Sequence, residues 1–401
     1  MIEGTSYETS AAVDWARVRE SYSEQRPLLN LNNASVSPPP LVVEQAVIEA
    51  YRFISRNPDV NMWTCLDAKL PDIKRQLAAL ADCDAEEIAL NRNASEGLSV
   101  AIFGIPLSPG ERVLVSPWDY PSAIAGWQQR QTREGIAVDF VAFDLLASDE
   151  EIIAAYSSAL RPDTRVLHLT HMIHWTGRVL PVARLCALAR ERGIITIVDA
   201  AQSFAQMPIS FRKMGCDFFV TSLHKWLGAP VGNGMLIIDR QRIDETWPLL
   251  APFDAAPHTV DKFDHWSLGT YNSALQAGIE PAIRFHQAIG AANIHARLRS
   301  LTRYWTARAA DIDGLRIHTP LDADTLGAVS LFSIDGIDAA RLESTLRQSF
   351  SVHVKYRRVG QLEGLRVSPH IYMNEADLDV FVDALHAAAK TLTGPATSVA
   401  A

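Results

Sequence analysis

The chain has 401 residues, with 37 basic against 46 acidic side chains and a formal net charge of −9. Hydrophobic residues make up 48% and charged residues 21%, which excludes a disordered or collagenous chain and leaves enough apolar residues for sizeable cores. The acidic balance argues against a nucleic-acid or anionic-membrane partner, since both need a basic face.

The opening MIEGTSYETS lacks the basic and apolar regions of a secretion signal. No apolar run reaches the roughly 18 residues of a membrane span, so a cytoplasmic location is expected. Residues 1–35 read as an N-terminal segment. Ser37-Pro38-Pro39-Pro40 then introduces a helical pattern from Leu41 to about Arg56. Short β-branched runs follow at Glu87–Asn91, Arg112–Ser116, Ala137–Phe143, Arg165–Thr170, Gly193–Asp199, Asp217–Thr221 and Gly234–Asp239. Helical stretches such as Ser95–Phe103, Ser122–Arg133 and Val182–Arg192 lie between them. Strands alternating with helices predict an α/β fold with a large, mainly parallel-sheet domain over residues 36–290. Beyond it, a helix at Asn293–Ile312, strands at Gly327–Ile334, Ser351–Arg357 and Gly364–Val367, and helices at Ala339–Ser349 and from Glu375 to about Thr391 predict a smaller α+β domain over 291–401. The tail Gly394–Ala401 is small and polar and is expected to fray.

The chemistry concentrates in IVDAAQ (Ile197–Gln202) and DFFVTSLHKWLG (Asp217–Gly228). Asp199 ends an apolar strand, where α/β sheets place ligand-binding groups. Lys225 follows His224 at the end of another, beside Trp226 and Leu227, where desolvation lowers an amine's pKa and makes it nucleophilic toward a carbonyl. Alone, the aspartate is equally a turn or cap residue and the lysine a surface residue. Together they fit a Schiff-base lysine and an aspartate on a pyridinium nitrogen, the protein's share of pyridoxal phosphate chemistry. Asn93-Ala94-Ser95-Glu96-Gly97, a small-residue turn opening a helix, supplies hydroxyl and N–H groups for a phosphate, or only an N-cap.

These segments resemble the class V aminotransferase family of fold-type I pyridoxal-phosphate enzymes, in its isopenicillin N epimerase-like and cysteine desulfurase-like branch. The resemblance runs from LNLNNASVSPPP (Leu29–Pro40) to LRVSPHIYMNEADLDVFVDAL (Leu365–Leu385), with Asp199-x-x-Gln202 and Ser222-x-His224-Lys225 as its core. It implies that Lys225 carries pyridoxal 5'-phosphate and moves the Cα proton, that Asp199 holds the ring nitrogen, and that Gln202 meets the phenolic oxygen. Ala94, Ser95, Ser222 and His224 fall at phosphate-contacting positions, and Tyr120 at that of a ring stacked on the cofactor. Gly269-Thr270 matches a turn whose threonine reaches the other subunit's phosphate, which implies a homodimer with shared active sites. Arg366 matches the arginine that grips the substrate's α-carboxylate.

The departures carry as much weight. Desulfurases hold a nucleophilic cysteine upstream of that arginine, whereas Val354–Gly364 here has none. Cys65, Cys83, Cys186 and Cys216 are scattered without CxxC spacing, so neither a disulfide framework nor a zinc site is indicated. His174 stands where desulfurases have an asparagine. With Tyr120 it is a candidate for a second acid–base group, as an imidazole of ordinary pKa. His168, His171 and His174 recur every third residue, but a strand would not turn all three to one face, so no metal is expected. The reading is an enzyme that uses pyridoxal phosphate to labilise the Cα–H of an α-amino acid, with net epimerisation or amino transfer. The alternatives are a β-eliminating C–S lyase and a non-catalytic member of the fold. A dinucleotide-dependent oxidoreductase fails because the glycines from Gly228 to Gly234 do not match GxGxxG after a first strand.

Overall fold

The computed structural model describes residues 13–23, 28–252, 256–264 and 269–393. The secretion-signal reading of the first ten residues and the expected fraying of Gly394–Ala401 lie outside the described residues. Among the described residues, no helix is long and apolar enough to cross a membrane.

Strand β1 (Leu29–Asn30) precedes a seven-stranded sheet of β2 (Ile88–Asn91), β3 (Arg112–Val115), β4 (Ala137–Phe140), β5 (Thr164–Thr170), β6 (Ile195–Asp199), β7 (Phe218–Ser222) and β8 (Gly234–Ile238). Their order is β2-β8-β7-β6-β5-β3-β4. The neighbours from β4 to β7 pair parallel, whereas β8 runs antiparallel to both β7 and β2. The reversal has a local cause. A parallel return needs a crossover, usually through a helix, and residues 223–233 form no helix. The chain instead turns straight back, and that turn carries His224 and Lys225. Strands β2, β7 and β8 are buried throughout, as strands covered on both faces should be.

Helices close both faces. Helix Ala94–Gly104 packs on β7 and β8, and Gly97 permits the approach: a Cβ there would meet Asn91 Nδ2 and Val220 Cγ1, each at 2.7 Å. Helix Leu70–Ala81, capped by a left-handed Asp82, buries Leu70, Ile73, Leu77, Ala78 and Ala81 on one helical stripe.

A second, antiparallel sheet of β9 (Leu315–Ile317), β10 (Ser330–Ile334), β12 (Lys355–Val359) and β13 (Leu362–Val367) has the order β12-β13-β10-β9. The expected strand Ser351–Arg357 is divided into β11 (Val352–His353) and β12. Strand β1 pairs parallel with β11, and Asn32 bridges to Ser368. The segment read as N-terminal therefore forms a separate two-stranded sheet with β11 and is tied beside the second sheet by the bridge just past β13. Gly177, at φ +77°, marks another contact between the two sheets' regions: a Cβ there would lie 1.9 Å from the Val329 carbonyl oxygen.

Candidate active site

Strands β2, β3, β5, β6 and β7 all end on one edge of the large sheet, because β2 and β7 both run opposite to β8. The segments leaving that edge are the ones singled out in sequence. Thr170 and Asp199 stand side by side as register partners at the ends of β5 and β6, and Ser222 closes β7 opposite Gly234.

Asp199 is buried, and its Oδ1 accepts the Ala201 N–H at 2.9 Å. Burial raises its pKa, against the opposing influence of that N–H and of Lys225. Among the described residues no cationic side chain lies within ion-pair distance of it. Lys225 is half-buried, and its amine has no hydrogen-bond partner among the described residues. Desolvation, with Arg366 and Arg357 adding repulsion, lowers its pKa to about 8, against the pull of Asp199. A lone buried carboxylate and a lone desolvated amine are each costly. A cationic ring N–H on the first and a carbonyl carbon on the second would relieve both, which is the fit pyridoxal phosphate offers.

The residues read in sequence as phosphate contacts also come together. Asn93 caps helix Ala94–Gly104 by accepting the Glu96 N–H at 3.0 Å. The Ala94 N–H donates to Ser222 Oγ at 2.9 Å, leaving that hydroxyl's own proton to point elsewhere. Ser95 lies in the same first turn, where peptide dipoles favour an anion. His224 Nδ1 sits 3.1 Å from the Asn233 carbonyl, which makes that nitrogen the donor and leaves Nε2 facing away. Gln202 is more constrained than the sequence suggested. Its Oε1 accepts the Trp226 indole N–H at 3.0 Å and its Nε2 donates to the Ala34 carbonyl at 2.9 Å, so one amide N–H remains for a ligand.

Arg366 is fully buried. Its Nη1 donates to the His174 carbonyl at 3.1 Å, and its Nη2 to Asn32 Oδ1 at 2.8 Å and Ser35 Oγ at 2.9 Å. Tyr120 caps the start of helix Pro121–Glu134, is 39% exposed, and meets the His174 ring edge-on at 5.2 Å. His174 does not keep an ordinary imidazole pKa. Burial, with Arg366, Arg357 and Lys225 nearby, holds it well below 6.5 and neutral at pH 7. The three histidines have separate surroundings: His168 Nδ1 faces the Trp127 indole N–H, and His171 Nδ1 the Ser203 hydroxyl. Thr270 is exposed and stands apart from the other residues, beside a cavity that Trp63, Lys74 and Tyr271 also line.

Two site residues escaped the sequence reading. Asp119 is fully buried, accepts the Ser116 N–H and the Thr170 hydroxyl at 2.7 Å each, and has its pKa raised to about 7 by burial. Its place just after a strand, before Tyr120, was the available signal. Arg357 lies in the cysteine-free stretch Val354–Gly364, with its guanidinium carbon 5.9 Å from the centre of the Trp175 ring.

The sequence profile of the family Aminotransferase class-V matches residues 29–381. Isopenicillin N epimerase from Streptomyces clavuligerus is 29% identical over 94% of this chain and 99% of its own. A cysteine desulfurase from Haloferax volcanii is 26% identical over 92% and 91%. Among solved structures, the cysteine desulfurase CsdA from Escherichia coli superposes with a TM-score of 0.83 at 20% identity, covering 95% of this chain and all of that one. The cystine C–S lyase C-DES gives 0.82 at 20% identity, over 90% and 97%. These likenesses show the fold-type I architecture. With the profile running from β1 into the last helix, the protein belongs to the class-V aminotransferase family and is a pyridoxal 5'-phosphate-dependent enzyme.

Proposed function

We propose that this enzyme binds an α-amino acid by its carboxylate and removes the Cα proton, with epimerisation or amino transfer as the net result. The observation that carries the reading is Lys225: an amine without a partner among the described residues, with a pKa of about 8 and with a buried carboxylate and a buried guanidinium near it. Pyridoxal phosphate, when bound, supplies an electron-withdrawing ring that spreads the electron pair left at Cα. Lys225 would anchor the cofactor, and its free amine would take the Cα proton on Nζ. Asp199 would hold the ring nitrogen in its protonated form. Ser95, Ser222 and His224 would hold the phosphate, with the Ala94 N–H orienting the Ser222 hydroxyl, and the remaining Gln202 N–H would meet the phenolic oxygen. Arg366 retains its Nε–H on one side and one Nη1–H on the other, each a single donor for the substrate carboxylate, the other donors being committed to His174, Asn32 and Ser35.

Inversion needs a second group across the cofactor from Lys225. The Tyr120 hydroxyl is the donor to favour, because His174 is neutral at pH 7 and serves better as a hydrogen-bonding group. A homodimer with shared sites is supported by the exposed Gly269–Thr270 turn, away from its own Ser222, and by exposed Trp63 beside it. A domain division near residue 290 is supported by Gly290, which separates helices Ile279–Ile289 and Ala291–Arg308. Four unpaired cysteines support a reducing, cytoplasmic setting.

The test is incubation of the holoenzyme with single amino acids in deuterated water, reading mass and chirality. Solvent deuterium at Cα is expected, with antipode or amino transfer in the productive case. Loss of a carboxylate or a side-chain substituent without Cα exchange would overturn the reading.

A further inference from the structure

Strands β12 and β13 pair antiparallel, with Lys355 opposite Arg366 and Arg357 opposite Gly364. Opposed residues share a face of the sheet, so Arg357 and Arg366 are diagonal neighbours on one face, with backbones roughly 7–8 Å apart. The Arg357 guanidinium carbon lies 5.9 Å from the centre of the Trp175 ring. That ring adjoins His174 at 4.3 Å, and His174 adjoins Tyr120 at 5.2 Å. Arg357 thus tops a wall that descends to the reacting centre, and its charge is felt at Lys225, His174 and Arg366.

These two arginines stand apart in the molecule. Every other buried or half-buried arginine among the described residues has a carboxylate within ion-pair distance, as Arg130 has Glu134, Arg178 has Asp149 and Arg297 has Glu375. Arg366 is held by neutral acceptors alone. Arg357 has a buried Nε with no hydrogen-bond partner among the described residues. Two groups favour its charge, neither of them a carboxylate within ion-pair distance: first the Tyr120 hydroxyl, which acts on Arg366 as well, and then Glu343, which accepts the Tyr356 N–H at 3.1 Å. Two neighbouring guanidinium groups repel, and without counter-charges the pair is costly. The phosphate cannot supply both charges, because its donors lie at the start of helix Ala94–Gly104. The substrate's α-carboxylate answers one.

We propose that Arg357 recognises a second carboxylate, carried on the substrate's side chain, so that the site selects dicarboxylic amino acids. This rests on the amino-acid reading above and names its substrate class. Such a substrate would place its α-carboxylate on Arg366 and extend its side chain toward Trp175 and Arg357.

The experiment titrates the holoenzyme with non-reacting acids by calorimetry, comparing succinate, glutarate and adipate each with its monoamide. At least one diacid is expected to bind about tenfold or more tightly than its monoamide, the size of one charge-assisted contact. Arg357→Gln should erase that preference and leave monoamide binding unchanged. Arg357→Lys, which keeps the charge, should restore part of it, and Arg366→Gln should weaken both ligands. Equal binding of every diacid and its monoamide overturns the proposal, as does an Arg357→Gln protein that loses both ligands alike. The two readings fail separately. Cα exchange without preference for the acid sinks only the role of Arg357. Preference for the acid without Cα exchange of any amino acid sinks the reaction and leaves the recognition standing.

Discussion

The Ala94 amide N–H donates to the Ser222 hydroxyl at 2.9 Å, tying the first turn of one helix to the last residue of β7. One hydroxyl therefore joins both halves of the cradle proposed for the phosphate. Ser222→Ala strands a buried N–H, at a cost of about 1–3 kcal/mol. The expected result is a lower melting temperature and at least about tenfold weaker retention of pyridoxal phosphate, read by dialysis and cofactor absorbance. Unchanged retention would remove Ser222 from the cradle.

Lys225 should shape the pH dependence of the cofactor-free protein. Its folded pKa, about 8, lies below the ordinary 10.5, mainly through desolvation. Between those values the unfolded chain binds the extra proton, so stability rises with pH across that window, and the full penalty applies below about 8. Lys225→Met should stabilise the cofactor-free protein at pH 7 by roughly 1–3 kcal/mol and flatten the rise from pH 8 to 10. Denaturant midpoints at several pH values check this. A wild-type protein with a flat profile there would contradict the desolvated amine.

What could be read in advance was local. Apolar runs ending in Thr221 and Asp199 marked strands, and the candidate groups stood at or just past their ends, so most of the sheet and the candidate site residues could be named. The contacts that tune the site join residues far apart in the chain. Arg366 reaches Asn32 and Gln202 reaches Ala34, and no pattern within a short window registers either. The N-terminal segment's place beside the second sheet was lost for the same reason. Helix Asp149–Ala159 was legible and was passed over: Ser148 and Glu151 form a capping box. The ordinary pKa assumed for His174 failed because burial and three nearby cations cannot be seen in a linear motif.

His174 is accordingly expected to hold position rather than donate a proton as an imidazolium. His174→Asn should leave Cα exchange within about tenfold of wild type. The two pH–rate profiles should keep the same shape between pH 5.5 and 7.5. A wild-type inflection near 6.5 that vanishes in the variant would restore the histidine as a titrating acid.

Free cysteine should release no sulfur on this enzyme. The β12–β13 hairpin turns tightly at Gly360, φ +57°, and carries no thiol. Burial pushes the Cys83 and Cys186 thiols up to about 12 and Cys216 well above its ordinary value, so none of these offers a thiolate at pH 7. Incubation with L-cysteine and a reductant should yield no alanine. Sustained alanine formation that disappears in Cys65→Ser would identify the half-buried Cys65 as a nucleophile after all.

The last prediction tests whether the active sites are shared. Thr270 is exposed beside Gly269, whose φ of +117° and open surroundings leave the turn projecting outward. If the threonine serves the partner's phosphate, Thr270→Arg and Lys225→Ala should each inactivate a homodimer, for different reasons. Mixed by refolding, one variant's lysine and the other's threonine can meet in a hybrid. One of its two sites then carries both defects and the other carries neither. Activity should therefore return to about a quarter of wild type for a statistical mixture, in which half the dimers are hybrid and each has one intact site. With the threonine acting within its own subunit, every site in the hybrid keeps one defect, and the mixture stays inactive. Recovery thus separates the two arrangements without a structure of the dimer, and a mixture that gains nothing although hybrids have formed would put Thr270 outside the partner's site.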